Sequence, residues 1–305
     1  MLINPIHTTF VAEVTGIGLR RPLDADDVAA IEAGMDRYAV LVFHDQPLND
    51  EEQLAFSRRL GNIEPSVNSN VTKIEERRLS IEVSDISNLD KHNMMRARDD
   101  RIRAFALGNR LWHSDSSYKP IPSKYSLLSA RIIPSTGGDT EFADMRAAYD
   151  ALDDATKGEI EDLVAEHSLL YSRGQLGFAF TPEEQAKFAP IRQRLVRTHP
   201  VTGRKSLFLA SHAGAIVGWP VPEARSFLRD LMEHATQPQF VYVHKWRQHD
   251  LVMWDNRQTM HRARPFKVAS EVRDMHRTTI AGDGPTVEQA RPSHMSSGES
   301  AAAHA

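Results

Sequence analysis

His113 and Asp115 stand one residue apart, and a third metal-ligand type, His261, lies far downstream in the same chain. Two imidazoles and one carboxylate are the donor set of a facial triad for non-haem iron(II), which leaves three coordination positions open. The same donors also serve catalytic zinc in hydrolases, and a non-catalytic metal-binding β-sandwich would need nothing more. On a strand, side chains at i and i+2 share a face. His113 and Asp115 would then project side by side, about 7 Å apart at the backbone, with Ser114 turned away and Trp112 and Tyr118 flanking the pair. A His-X-Asp triplet recurs by chance, so its weight comes from the residues that accompany it.

Arg273 and Arg277 fall in a run that reads as a strand, Arg273 to Ile280. Alternation puts Arg273, Met275, Arg277 and Thr279 on one face, with the two arginines roughly 13 Å apart. That is too far to share one carboxylate, but it suits two anionic groups at opposite ends of a pocket. Arginine binds carboxylates through a planar fork, and a buried arginine needs an anionic partner. Thr140, just after the Gly137-Gly138-Asp139 turn, could add a hydroxyl to whatever Arg273 holds. His199 and His212 are further pocket candidates, although a buried histidine is more often held by structural hydrogen bonds.

These residues need a scaffold. Val11–Leu19 and the apolar run Ala39–Phe43 read as strands, and Asp24–Tyr38 has helical periodicity. Asn49 caps a helix that runs to Leu60. Asp90–Arg103 is crowded with charge, and 90–108 reads as a surface loop or lid before the His-X-Asp motif. Strands are expected around that motif and over Tyr125–Ile133, and helix in two pieces over Asp144–Val164. Thr181-Pro182-Glu183-Glu184 starts a helix, and Pro222 opens another. Phe240–Trp246, Leu251–Asp255 and 273–281 are strands. The Ser/Ala/Gly-rich stretch 284–305 reads as a disordered tail. The whole is mostly β with inserted helices, a jelly-roll type sandwich, as a single domain over 1–283.

A net charge of −4 over 305 residues provides no basic surplus for nucleic acid. The absence of cysteine excludes disulfides, iron–sulfur clusters and thiolate zinc. It fits a reducing cytoplasm. No signal peptide or membrane span is readable, and a homo-oligomer is compatible with the sequence.

Four stretches carry a resemblance: Leu111-Trp-His-Ser-Asp-Ser-Ser-Tyr118, Gly137-Gly-Asp-Thr-Glu-Phe142, Asp144-Met-Arg-Ala-Ala-Tyr-Asp-Ala-Leu152, and Leu251-Val-Met-Trp-Asp-Asn-Arg257 leading to His261. From about Asn4 to Gly282 the chain resembles the taurine/2,4-dichlorophenoxyacetate dioxygenase family of iron(II)- and 2-oxoglutarate-dependent oxygenases. The opening Asn4-Pro5-Ile6-His7 is nearest the phenoxyalkanoate-cleaving branch. The resemblance implies a double-stranded β-helix (jelly-roll) core. It implies iron ligation by His113, Asp115 and His261, which would make these the catalytic residues. Arg273 and Thr140 would hold 2-oxoglutarate, and Arg277, Asn109 and Ser116 the substrate, with Trp112 and Trp254 behind the ligands. Dioxygen would be consumed, and an aryl ether hydroxylated beside its oxygen would collapse to a phenol and an oxo acid such as glyoxylate, alongside succinate and CO2. An intact Asp115 argues for hydroxylation over halogenation. A taurine-like sulfonate, a sulfate ester or another carboxylate are the alternative substrates. The interval from His261 to Arg273 is one residue longer than the resemblance leads one to expect, which a bulge would absorb.

Overall fold

A computed structural model describes residues 1–67 and 71–289. The chain opens with the antiparallel pair β1 (Leu2–Pro5) and β2 (Val11–Thr15). Helix α1 (Ala25–Tyr38) then crosses over to the fully buried β3 (Val40–Phe43), and the crossover makes β2 and β3 parallel. Asp24 caps α1 by accepting from the Asp27 amide. Helix α2 (Asp50–Leu60) starts on a complete capping box, in which Asn49 and Glu52 each accept the other's amide. Such a cap contributes about 1 kcal/mol. The short β4 (Ser84–Asp85) follows, then α3 (Arg101–Ala106), which runs into a 3-10 turn at Leu107–Arg110. The segment expected as an irregular lid therefore ends in helix.

Strands β5 (Tyr125–Ile132) and β6 (Thr140–Asp144) come next, followed by α4 (Met145–Asp150) and α5 (Asp154–Ile160), the expected two-piece helix. Val164 is not helical; it begins β7 (Val164–His167), which leads to α6 (Leu169–Gly174) and α7 (Pro182–Lys187). Four short strands, β8 (Ile191–Arg194), β9 (Val196–Thr198), β10 (Lys205–Leu207) and β11 (Ala213–Ile216), precede the amphipathic α8 (Val221–Ala235). Strands β12 (Val241–His244), β13 (Leu251–Asp255), β14 (Thr259–Ala263) and β15 (Asp274–Thr279) complete the core.

The large sheet has the order β1-β2-β3-β13-β5-β15-β4, and a second sheet has the order β12-β6-β14. Val40, Val42, Leu128, Val252, Trp254 and Met275 of the first pack against Phe142 and Tyr242 of the second. The other face of the large sheet packs on α1 and α2 through Ile31, Met35, Phe56 and Leu60. Along β15 the alternation is unbroken: Met275 points between the sheets, while Thr278 bonds Ser57 of α2 at 2.6 Å. The bulge in this region sits on the partner strand, because Asp274 and Met275 pair with Ile132 and Ala130 and leave Arg131 of β5 as the extra residue. It is therefore not the expected bulge between His261 and Arg273.

Residues 284–289 are not tail-like. Thr286 is buried, donates to Gln193 and accepts from the Arg194 amide. The remainder of the expected tail, 290–305, lies outside the described residues. Among the described residues no helix is long and apolar enough to cross a membrane.

His276, on the α2 side of β15, lies between Asp50 at 2.5 Å and Asp274 at 3.3 Å. Burial would lower its pKa, but the two carboxylates outweigh burial and raise it. A raised folded pKa contributes stability that is complete below the unfolded value of about 6.5 and is lost as pH rises through the folded value. The melting temperature of His276→Gln should therefore fall furthest below that of the parent in mildly acidic buffer. The gap should narrow toward about pH 9; a pH-independent gap would refute the linkage.

Candidate metal centre

His113 is not on a strand. It makes an isolated bridge with His261 of β14, in which each backbone amide donates to the other's carbonyl, at 3.0 and 2.8 Å. The chain then turns at Ser116, whose φ of 56° is left-handed. The bridge gives the side-by-side placement that a strand was expected to provide, and it ties the short motif directly to the distant histidine.

The imidazoles of His113 and His261 lie 4.2 Å apart at their centroids. Their Nε2 atoms stand 3.8 and 3.7 Å from the two Asp115 oxygens. Both spacings are below twice a metal–ligand bond of about 2.1 Å, so one ion can touch all three side chains. The His113 Nδ1–H donates to the Leu111 carbonyl at 2.7 Å, which leaves Nε2 with its lone pair toward the centre. Burial pushes the His113 imidazole down to about 4, against the pull of Asp115, and the buried His261 also falls well below its ordinary value. Both rings are thus neutral at pH 7, the state that a metal requires. Burial would raise the Asp115 pKa, but the Arg277 guanidinium and the hydrogen bond from Ser126 hold its carboxyl below the usual range.

Asp115 is oriented by Ser126 and Asn256, which had no expected role, and by Arg277, which was expected to hold the substrate. Ser126 of β5 donates to Oδ2 at 2.7 Å, and Arg277 of β15 donates to Oδ1 at 2.6 Å. Asn256 accepts from the Asp115 amide at 3.0 Å and from Trp254 Nε1 at 3.0 Å, and donates to Ser126 Oγ at 2.9 Å. Asn256 lay within the quoted Trp-Asp-Asn-Arg stretch, but a polar residue after a strand has no sequence signal of such a role.

Two cavities meet the triad. A small one is lined by Asn109, Thr140, Trp254, His261, Arg273 and Arg277. Arg273 is buried, donates to the Gly138 carbonyl at 3.2 Å, and has no carboxylate within 4.0 Å among the described residues. Burial lowers its pKa to about 10, so it stays charged at pH 7. Thr140 Oγ1 accepts from Trp246 at 3.0 Å, which leaves its own hydroxyl hydrogen free to donate. A larger cavity reaches His113, Asp115, Asn109, Tyr118, Arg173, His212 and Arg277. The structure thus brings Asn109, Thr140, Arg273 and Arg277 to the cavities beside the triad. Trp254 packs 4.6 Å from His261.

Three expectations change. Ser116 donates to Glu64 at 2.8 Å, because its left-handed backbone turns it away from His113. Trp112 packs into the cluster with Met145 and Met260 and under Arg262, away from the triad, since adjacent residues on an extended segment face opposite ways. His199 bonds Asp255 at 3.3 Å within the protein interior, whereas His212 lines the larger cavity.

With this geometry in place, likeness to known proteins can be judged. Residues 2–279 match the family described as taurine catabolism dioxygenase TauD, TfdA family. The chain belongs to that family. It is 44% identical over 284 residues to the alpha-ketoglutarate-dependent 2,4-dichlorophenoxyacetate dioxygenase of Cupriavidus pinatubonensis, covering 93% of this chain and 98% of that one. It is 40% identical over 294 residues to the (S)-phenoxypropionate/alpha-ketoglutarate-dioxygenase of Sphingobium herbicidovorans, covering 92% and 95%. Among solved structures, AAD-2 in complex with Mn(II) and N-oxalylglycine superimposes with a TM-score of 0.87 at 58% identity, over 94% of this chain and 99% of that one.

In this member of the family, Asn256→Ala should weaken binding of Mn(II) or Fe(II) by about 10- to 100-fold while the protein still folds. Metal titration with a parallel melting curve checks it, and unchanged affinity would remove Asn256 from the support of the site.

Proposed function

We propose that the chain is an iron(II)- and 2-oxoglutarate-dependent dioxygenase that acts on an aryloxyalkanoate of the 2,4-dichlorophenoxyacetate type. The products are a phenol and glyoxylate, with succinate and CO2. The observation that carries this reading is the buried His113–Asp115–His261 cluster beside Arg273, a buried cation with no carboxylate partner among the described residues. A metal site alone would not need that cation, whereas a chelating dicarboxylate would occupy both. Identities of 40% and 44% to phenoxypropionate and 2,4-dichlorophenoxyacetate dioxygenases support the substrate class. In this reading residues 1–283 act as one domain, and the two facing sheets are its double-stranded β-helix (jelly-roll) core.

Bound together, iron(II) and 2-oxoglutarate would supply oxygen activation and the oxidation of a substrate C–H bond. The protein's own residues position the reactants. Arg273 and the free Thr140 hydroxyl hold the distal carboxylate of 2-oxoglutarate by charge-assisted hydrogen bonds. Arg277 keeps Asp115 ionised and faces the substrate's acidic head. Trp254 and Phe142 close the inner side of the site and exclude water there.

The direct test is succinate formation that depends on iron(II), 2-oxoglutarate and an aryloxyacetate, with phenol release. Taurine and an alkyl sulfate provide the competing arms, and an anaerobic control separates a hydrolase. Phenol release from no aryloxyacetate would remove the substrate class. Arg273→Ala should raise the KM for 2-oxoglutarate by at least about tenfold, and Arg277→Ala should act mainly on substrate KM. Equal effects of both changes on both ligands would contradict this division.

A further inference from the structure

Arg173, on α6, is a third cation of the site, and the reading so far gives it no role. It is buried, and no carboxylate lies within 4.0 Å of it among the described residues. Its polar contact is a long one, Nη1 to Ser172 Oγ at 3.5 Å, and Nε has no partner. The guanidinium carbon lies 4.8 Å over the Phe105 ring of α3. On its other side is Gly108, where an added Cβ would fall 1.9 Å from the same carbon. A glycine in the 3-10 turn thus leaves room for the guanidinium. Arg173 lines the larger cavity together with His113, Asp115 and Arg277. Three half-buried arginines of that cavity have carboxylates: Arg78 bonds Asp85 and Asp274, Arg96 bonds Asp100, and Arg277 bonds Asp115. Apolar surface from Ile81, Val83, Ile102, Phe105 and Tyr118 fills the same cavity wall.

We propose that Arg173 is a second anion anchor for the substrate, which reads the acidic head while Phe105 and Tyr118 receive a flat apolar body. An uncompensated buried guanidinium is costly unless an anion joins it, and the proposed reading puts 2-oxoglutarate beside Arg273 and Thr140 in the smaller cavity, which leaves the larger one to the substrate. The inference rests on the proposed dioxygenase reading. It adds to it that substrate charge is recognised from the α3–α6 side as well as from β15.

The test is calorimetric titration of the full protein loaded with Mn(II) and N-oxalylglycine, which requires no turnover. The probes are 2,4-dichlorophenoxyacetate and its uncharged methyl ester. Arg173→Gln should weaken acid binding by at least about tenfold, leave the ester within about threefold, and leave N-oxalylglycine affinity unchanged. Arg173→Lys should recover part of the acid preference, because it keeps the charge. If Arg173→Gln melts at room temperature, Gly108→Ala supplies the second variant, since its methyl displaces the guanidinium without removing it, and the same selective loss is expected. Equal weakening of acid and ester, or no weakening of the acid, overturns the proposal. If the parent binds an alkyl sulfate but no aryloxyacetate, the substrate class is what fails, and Arg173 is judged by the sulfate against its parent alcohol. A parent that binds neither anion overturns the Arg173 proposal too.

Discussion

Uncompensated charge in a dry interior is the constraint on which the site depends. Asp115 is buried with two neutral imidazoles, and Arg277 at 2.6 Å is what keeps it ionised. Arg273 and Arg173 are buried as well and have no carboxylate of their own among the described residues. The protein atoms alone therefore leave the centre net positive, and a divalent metal on the triad adds further positive charge. Only anionic ligands can balance that sum. The arrangement selects acids over their neutral analogues without any basic surface, which reconciles an overall charge of −4 with an anion-binding centre.

The fold distributes this charge over elements that cannot move independently. Ser126 and Arg277 come from adjacent strands of the large sheet, β5 and β15, while Thr140 and His261 come from β6 and β14 of the facing sheet. Asn256, in the turn between β13 and β14, hydrogen-bonds the Asp115 amide, Trp254 and Ser126. The Asp115 orientation is thus set by both sheets at once, through groups with no freedom to relax when one partner is removed.

Much of this could be read from residue order because it obeys period and spacing. Alternation along β15 and the residue that precedes it places Arg273, Met275 and Arg277 on one face, and the capping residues Asn49 and Thr181 announce their helices locally. What could not be read was set by contacts between distant segments. His113 gains its position from a two-residue bridge to His261, not from strand propensity. Trp112 adjoins His113 in sequence and Trp254 is well removed from His261, yet only the second faces the triad. The short strands β7 to β11 have too few residues for a period to show.

Arg173 marks the limit most clearly. In the sequence it is a lone arginine between Arg146 and Arg192, with nothing to separate it from a solvated side chain. Its meaning comes from Gly108, which makes room for it, and from Phe105, which covers it, and neither is near it along the chain. Gly108 directly precedes Asn109, and Asn109 lines both cavities beside the triad. One 3-10 turn therefore supplies a residue that lines both cavities and leaves the space that Arg173 fills. A side chain at position 108 would fall where the Arg173 guanidinium lies, so the charge of that cavity depends on a glycine far from Arg173 in sequence.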